Sequence, residues 1–230
     1  KKKIIIGELK ETWDNYLARD NKKGIFVYLS DHGDEIGERG LFGKETFFES
    51  SSRIPLVFEG HGVESNNRIE KPVNIMDLGP TLCEIVSCQT PADQDGKSLL
   101  SYLHGNDSES RSIISEFINE PKTGEFYAGR MIRSGNWKLI SFPEMPEHDL
   151  LFNLKEDPEE LNDLSGTNIE IYSELKKKLM NDWNYKEVVK RYRVRTKNQK
   201  LLKKYGEITN MTDEERWHPT ENCRKAPVTY

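Results

Sequence analysis

The chain has 230 residues, 35% of them hydrophobic and 32% charged, with a formal net charge of −5. That mild acidic balance excludes the basic excess of a general nucleic-acid binder, and no apolar run approaches the length of a membrane span. Short clusters of apolar residues are the pattern of a folded chain and not of a disordered one. No signal peptide is visible, because the apolar stretch after Lys1–Lys3 is only Ile4–Ile6. Three cysteines, Cys83, Cys88 and Cys223, stand at irregular spacing and outside any CxxC pair. They suggest neither a disulfide framework nor a zinc site, and buried or partly buried free thiols are expected.

Ile5, Leu9, Trp13 and Leu17 recur at steps of four, which places one apolar stripe on a helix over Ile5–Asp20. Lys22-Lys23-Gly24 ends it, glycine being able to take the left-handed cap conformation. Ile25–Leu29 is a continuous apolar run of the kind buried on both faces of a parallel sheet, and a helix feeding such a strand is an α/β unit. Ser30–Gly43 (SDHGDEIGERGLFG) carries four glycines and five charged residues and reads as a loop at the strand's carboxyl end, where open α/β sheets place their sites. A second strand is expected over Ile54–Phe58, with Pro55 marking its start or an edge.

Asp77–Val86 reads as a helix with Asp77 as N-cap and Leu78, Leu82, Ile85 and Val86 as its buried stripe. A loop follows over Pro91–Gly96, then a short helix over Ser98–Leu103. From about Arg111 the texture changes to short strand candidates at Ile113–Phe117, Arg130–Arg133, Trp137–Phe142 and Leu150–Leu154. Ser134-Gly135-Asn136 looks like a hairpin turn within this meander, so a small antiparallel sheet is expected. Ile171, Leu175, Leu179 and Trp183 mark an amphipathic helix over Ile169–Trp183. The rest of the chain is basic and weakly patterned.

The chemistry-bearing candidates are Asp31 and His32, directly after the first strand. A carboxylate is a hard oxygen ligand for Ca2+, Mg2+ or Mn2+, and imidazole is a frequent ligand of softer metals. Gly33 leaves room for close approach to the backbone. By itself an Asp-His pair on a loop is more often a capping or solvated pair.

The wider string is more specific. Tyr28–Leu56 reads YLSDHGDEIGERGLFGKETFFESSSRIPL. It resembles the second signature region of the sulfatase family, within the alkaline phosphatase superfamily: a hydrophobic strand, S-D-H/N-G, L/I-G-E-x-G, an aromatic-x-Lys, a Glu and R-V/I-P-L. Asn74–Leu82 (NIMDLGPTL) resembles the family's D-x-x-PT helix, and Asp95–Leu103 (DGKSLLSYL) its D-G-x-S-L segment. Arg133–Ile140 (RSGNWKLI) resembles its R-x-x-x-(Y/W)-K strand pair, and Leu151–Leu164 (LFNLKEDPEELNDL) its L-Y-D-L-x-x-D-P-x-E-x-x-N-L turn. The resemblance covers about residues 5 to 183, with five motifs in the family's order.

The resemblance implies an α/β fold: the C-terminal part of an alkaline-phosphatase-like sheet over residues 1–110, then a small antiparallel sheet packed with a helix over 111–183, and a basic tail over 184–230. It implies hydrolysis of a small-molecule sulfate ester, with Asp31 and His32 as half of a divalent-metal ligand set, usually for Ca2+, and Lys44 on the substrate's sulfate. A metal and ammonium groups suit this reaction, because charge develops on the sulfate and leaving oxygens. Arg53 is read as structural, paired with Glu49. His61, between glycines, could face the site or simply sit in a loop.

Two parts of the family pattern are absent. The nucleophile, a formylglycine made from Cys or Ser in C/S-x-P-x-R, has no counterpart, and Ser52-Arg53-Ile54-Pro55 is not that motif. The first Asp pair of metal ligands is missing as well. The chain is therefore expected to be a C-terminal portion, with no catalytic residue of its own, weak metal binding and no activity alone. Arg39 stands where many relatives have His. The tail loosely resembles that of choline-sulfatase-like members, in which it helps subunits associate. A phosphonate or phosphate-diester hydrolase of the same superfamily, and a non-catalytic assembly module, are the competing readings.

Overall fold

The structure is a computed structural model that describes residues 10–16, 18, 23–106, 110–119 and 126–209. The chain forms two compact units, one from Lys1–Phe117 with Gly129–Asn181, the other from Ile118–Ala128 with Asp182–Tyr230. Among the described residues no helix is long and apolar enough to cross a membrane.

The first unit opens with a helix, α1, at residues 10–16; Ile5, Leu9 and Leu17 of the expected stripe lie outside the described residues. Trp13 packs its ring 5.8 Å from Phe26, and Lys10 pairs with Glu59 at 2.9 Å. These contacts hold α1 against β1 (Ile25–Leu29) and β4 (Leu56–Gly60). β4 begins directly after Pro55, as expected of a residue without an N–H to donate. The sheet order corrects one expectation. β1 runs antiparallel to β4, with Leu29 opposite Leu56 and Ile25 opposite Gly60, and all five of its residues are only half-buried. β1 and β4 form a ribbon of two strands, and such a ribbon cannot cover both of its own faces.

Within the Ser30–Gly43 loop, β2 (Glu35–Ile36) and β3 (Phe42–Gly43) make a short hairpin around a 3-10 turn at Glu38–Gly40. Helix α2 (Glu49–Ser52) leads into β4. Farther on, α3 covers Leu78–Ile85 and α4 Leu100–Leu103.

Asp77 does more than cap α3. It closes a capping box with Asn74 around the 3-10 turn Ile75–Asp77. Its fully buried carboxylate also accepts the Lys97 N–H at 2.9 Å and pairs with Arg111. The buried side of α3 is likewise set by polar bonds. Thr81 Oγ donates to the Asp77 carbonyl and accepts the Leu99 N–H at 2.8 Å. That draws Pro80 and Thr81 inward and leaves Leu82 and Val86 of the expected stripe exposed.

The second half of this unit holds the expected meander, apart from residues 118–119 and 127–128, which fall in the second unit. β5 (Ile113–Asn119), β6 (Tyr127–Ser134), β7 (Trp137–Ser141) and β8 (Leu150–Asn153) form an antiparallel sheet in chain order. Ser134 pairs with Trp137 across a two-residue turn whose first residue, Gly135, has φ 57°, the left-handed conformation such hairpins require. Successive side chains point to opposite faces, and both faces are buried. Ile132, Leu139 and Leu151 pack against Leu175 and Leu179 of helix α5 (Ile169–Met180). Met131, Ile140 and Phe152 pack against Phe47 and Phe48 of the loop segment before α2. Asp149 pins α5 to the sheet, accepting from the Tyr172 hydroxyl at 2.8 Å and from Lys176 at 2.5 Å. Burial, and then that bond to Asp149, push the Tyr172 phenol up to about 12. α5 stops at Met180, short of Trp183, which belongs to the second unit.

In the second unit, the basic stretch after Asn184 forms a long helix, α6 (Tyr185–Ile208). Asn184 caps it by accepting the Glu187 N–H at 3.1 Å, and Phe126 packs edge-on against Tyr192 at 5.3 Å with Arg193 over its ring.

One charged residue is fully buried within the strands of the meander. Lys138 lies in β7 with no exposure to solvent, 3.0 Å from Glu49 Oε1 and 2.8 Å from the equally buried Glu160 Oε1. Removing one partner of a buried ion pair leaves the other charge uncompensated. Lys138→Ala is therefore expected to lower unfolding free energy by about 3–5 kcal/mol, read from urea denaturation. A loss below about 1 kcal/mol, the scale of an exposed pair, would show that the pair does not hold this packing.

Candidate functional site

Asp31 and His32 stand at the end of β1, where the chain turns sharply under its own hydrogen bonds. Ser30 Oγ donates to the His32 carbonyl at 2.7 Å, and the Asp31 carboxylate accepts the His32 N–H at 2.9 Å. The Gly33 N–H donates to the Ser51 carbonyl at 2.8 Å. A Cβ at Gly33 would lie 1.9 Å from the Ser50 carbonyl oxygen, so only glycine lets the turn approach α2 this closely.

The bonds to the imidazole fix its tautomer. His32 Nδ1 lies 2.8 Å from the Gly33 carbonyl, which can only accept, so Nδ1 carries the proton. His32 Nε2 lies 2.8 Å from Lys44 Nζ, and an ammonium can only donate, so Nε2 presents its lone pair. Bonding one ring nitrogen to a backbone carbonyl is the usual way a protein aims the other at a metal or cation.

Asp31 extends into solvent, its side chain 82% exposed, with Oδ2 3.5 Å from His32 Nε2. Its carboxyl is held below the ordinary carboxylate value, first by the His32 N–H, against an opposing effect of burial, with the Lys44 ammonium adding to the lowering. Asp31 is thus an anion with free lone pairs beside an imidazole lone pair. Lys44 reaches them from just beyond β3, placed by two left-handed residues, Gly43 (φ 91°) and Glu45 (φ 80°). The structure so brings Asp31, His32 and Lys44 side by side.

The donor set suits a divalent cation, joining one hard carboxylate to one oriented imidazole. Among the described residues, no group of three or more His, Cys, Asp and Glu side chains is placed to hold a metal, so the pair offers two ligands. His61 is not part of this arrangement. It follows β4, and its N–H donates to the Gly24 carbonyl. It sits at the opposite end of the ribbon from Leu29, about 13 Å of strand away. Cys88 and Cys83 lie beyond α3 and within it, respectively, and Cys223 lies outside the described residues.

Beneath the loop is a set of buried charges, of which Arg39 and Glu49 were named from the sequence but Glu35, Lys138 and Glu160 were not. The Glu35 carboxylate accepts from Thr46 Oγ at 2.9 Å and faces Arg39 Nη1 at 3.7 Å. Arg39 stacks over the Phe48 ring at 4.0 Å and donates to the Glu159 carbonyl at 2.5 Å. Glu160, held at φ 55°, accepts the Glu49 N–H at 2.7 Å and pairs with Lys138. Glu49 is therefore taken by Lys138, and the expected Arg53–Glu49 pair gives way to it; Arg53 is exposed. Arg133, opposite Lys138 across the β6–β7 pairing, is held below the ordinary arginine value by burial, while Glu49 and Glu160 pull it back up. One signal was available for this set: Lys138 lies between Trp137 and Leu139 in an apolar strand, where a lysine needs a buried anion.

Comparison with known proteins adds the family. A family profile described as N-sulphoglucosamine sulphohydrolase, C-terminal, matches residues 37–185. The chain is 30% identical over 224 residues to arylsulfatase K of Bos taurus, covering 91% of this chain and 40% of that protein. It is 32% identical over 163 residues to a choline-sulfatase of Rhizobium meliloti, covering 70% of this chain and 30% of that one. Among solved structures it is similar to the phosphonate monoester hydrolase of Agrobacterium radiobacter, at 24% identity and a TM-score of 0.62, over 76% of this chain and 37% of that one. The chain thus spans about 40% of the length of the arylsulfatase K it matches.

Gly33→Ala is expected to force the turn away from α2 and to cost about 1–3 kcal/mol, the range for overpacking, measured by thermal or urea denaturation. Wild-type stability with an unchanged His32 ring-proton NMR signal would show that the turn can relax and that glycine is not required there.

Proposed function

The chain belongs to the sulfatase family, matching its C-terminal profile over residues 37–185, and from that premise we propose that it supplies part of the site of a hydrolase of sulfate esters. The observation that carries the reading is the meeting of Asp31, His32 and Lys44 at the end of β1, with Lys44 Nζ on His32 Nε2.

On this reading Asp31 and His32 would hold a divalent cation, Ca2+ by family resemblance. The bound cation would supply Lewis-acid stabilisation of charge on a sulfate oxygen. The His32 Nε2 lone pair serves one partner at a time. Lys44, with three N–H donors beside that pair, would bind the sulfate oxygens. That places a positive charge where the reaction gathers negative charge, so its effect is greatest in the transition state. On the same reading the nucleophile and the remaining ligands are not among Asp31, His32 and Lys44, and no turnover is expected of these 230 residues by themselves.

The phosphonate monoester hydrolase likeness keeps one competing substrate class in view. Both are tested in the full-length enzyme with an aryl sulfate and an aryl phosphonate monoester, the 230-residue chain serving as the inactive control. Lys44→Ala is expected to lower kcat/KM for the sulfate by about 10²–10³-fold, the scale of one lost charge-stabilising donor. An unchanged kcat/KM removes Lys44 from the reaction, and a preference for the phosphonate favours the competing class. Asp31→Ala is expected to reduce bound metal per protein by elemental analysis; equal metal content refutes the ligand assignment.

A further inference from the structure

Cys83 and Cys88 fit no thiol motif in the sequence, which suggested buried or partly buried thiols. In the structure Cys88 is exposed and Cys83 half-buried. The end of α3 explains why they meet. Val86 closes the helix and Ser87 follows at φ 54°, in the left-handed region. The Ser87 N–H donates to the Glu84 carbonyl at 3.1 Å and the Cys88 N–H to the Cys83 carbonyl at 2.8 Å. These two bonds form a Schellman ending, which brings the second residue past the cap against a residue in the last helical turn. An apolar pair commonly occupies those two positions; here both are cysteine, and the neighbouring Cys88 side chain is the first cause that raises the Cys83 thiol above its ordinary value.

We propose that Cys83 and Cys88 form a thiol–disulfide site at the carboxyl end of α3, oxidised by low-molecular-weight disulfides such as glutathione disulfide. The Cys88 thiolate attacks one sulfur of the disulfide RSSR, forming a Cys88–SR bond and expelling RS−. Cys83 then loses its proton and its sulfur attacks that of Cys88, forming the Cys83–Cys88 bond and expelling the second RS−. In sum, two protein thiols and RSSR give one protein disulfide and two RSH, with two electrons passing from the protein to RSSR.

The order of events follows from the surroundings. Cys88 is open to solvent and meets the reagent first. The Cys83 thiol is held above its ordinary value, first by the Cys88 side chain and then by burial, so it serves as the resolving thiol. The backbone turn that joins the two is already formed in the reduced chain.

The test uses the 230-residue chain equilibrated in mixed reduced and oxidised glutathione, then alkylated and mapped by peptide mass spectrometry. The expected result is a peptide holding both Cys83 and Cys88 that has lost two hydrogens and takes up no alkylating agent, while Cys223 is alkylated. A Cys83→Ser variant is expected to stop at a glutathione adduct on Cys88. Independent alkylation of both thiols, a lasting glutathione adduct on wild-type Cys88, or a cross-link from either to Cys223 would each overturn the proposal. The wild-type map decides the question even where the variant folds poorly.

Discussion

Lys138 sits at zero exposure inside β7, with Glu160 at 2.8 Å and Glu49 at 3.0 Å. A lone ammonium in that position would be prohibitively costly, so the anions must come to it. Glu160 comes from the turn after β8 and Glu49 from the first residue of α2, far apart in the chain. Glu160 accepts the Glu49 N–H as well, which ties the two anions to each other. This triad therefore sets where the loop that bears Lys44 lies relative to the four-stranded sheet.

The neighbouring contacts follow from that constraint. With α2 fixed over β7, Phe47 and Phe48 fall on the sheet face of Met131, Ile140 and Phe152. Gly129 in β6 leaves space there, since a Cβ would stand 2.5 Å from Phe142 and 3.0 Å from Phe47. Arg39 extends the charge set to Glu35 and lies over the Phe48 ring. The other face needs no such device, because α5 brings a regular apolar stripe and Asp149 locks its register through Tyr172 and Lys176.

The site itself is exposed, and its order comes from the backbone beneath it. Gly33 allows the turn to touch α2, and α2 is held by Lys138, so the imidazole of His32 is aimed by contacts that reach the sheet core. A polar turn that must be both open to a ligand and precise gains its precision from such buried support. The two cysteines at the end of α3 show the same logic locally, a backbone cap deciding which side chains touch.

The sequence by itself determined the strands of the meander, the hairpin at Gly135, the helix that ends near Ile85 and the one that starts at Ile169, and Asp31, His32 and Lys44 as the candidate group. These rest on alternation, helical spacing, turn chemistry and a string of motifs, all of which are local in the chain. Tertiary structure alone decided that β1 pairs antiparallel with β4, that Asp77 serves Arg111 and Lys97 as well as a turn, and that Glu49 belongs to Lys138 and not to Arg53. It also decided that Leu82 and Val86 face outward while Thr81 faces in. The physical reason is common to these cases. The partner of a buried charge or hydroxyl is chosen by three-dimensional proximity, and neither residue type nor spacing says which distant carboxylate or N–H will be there.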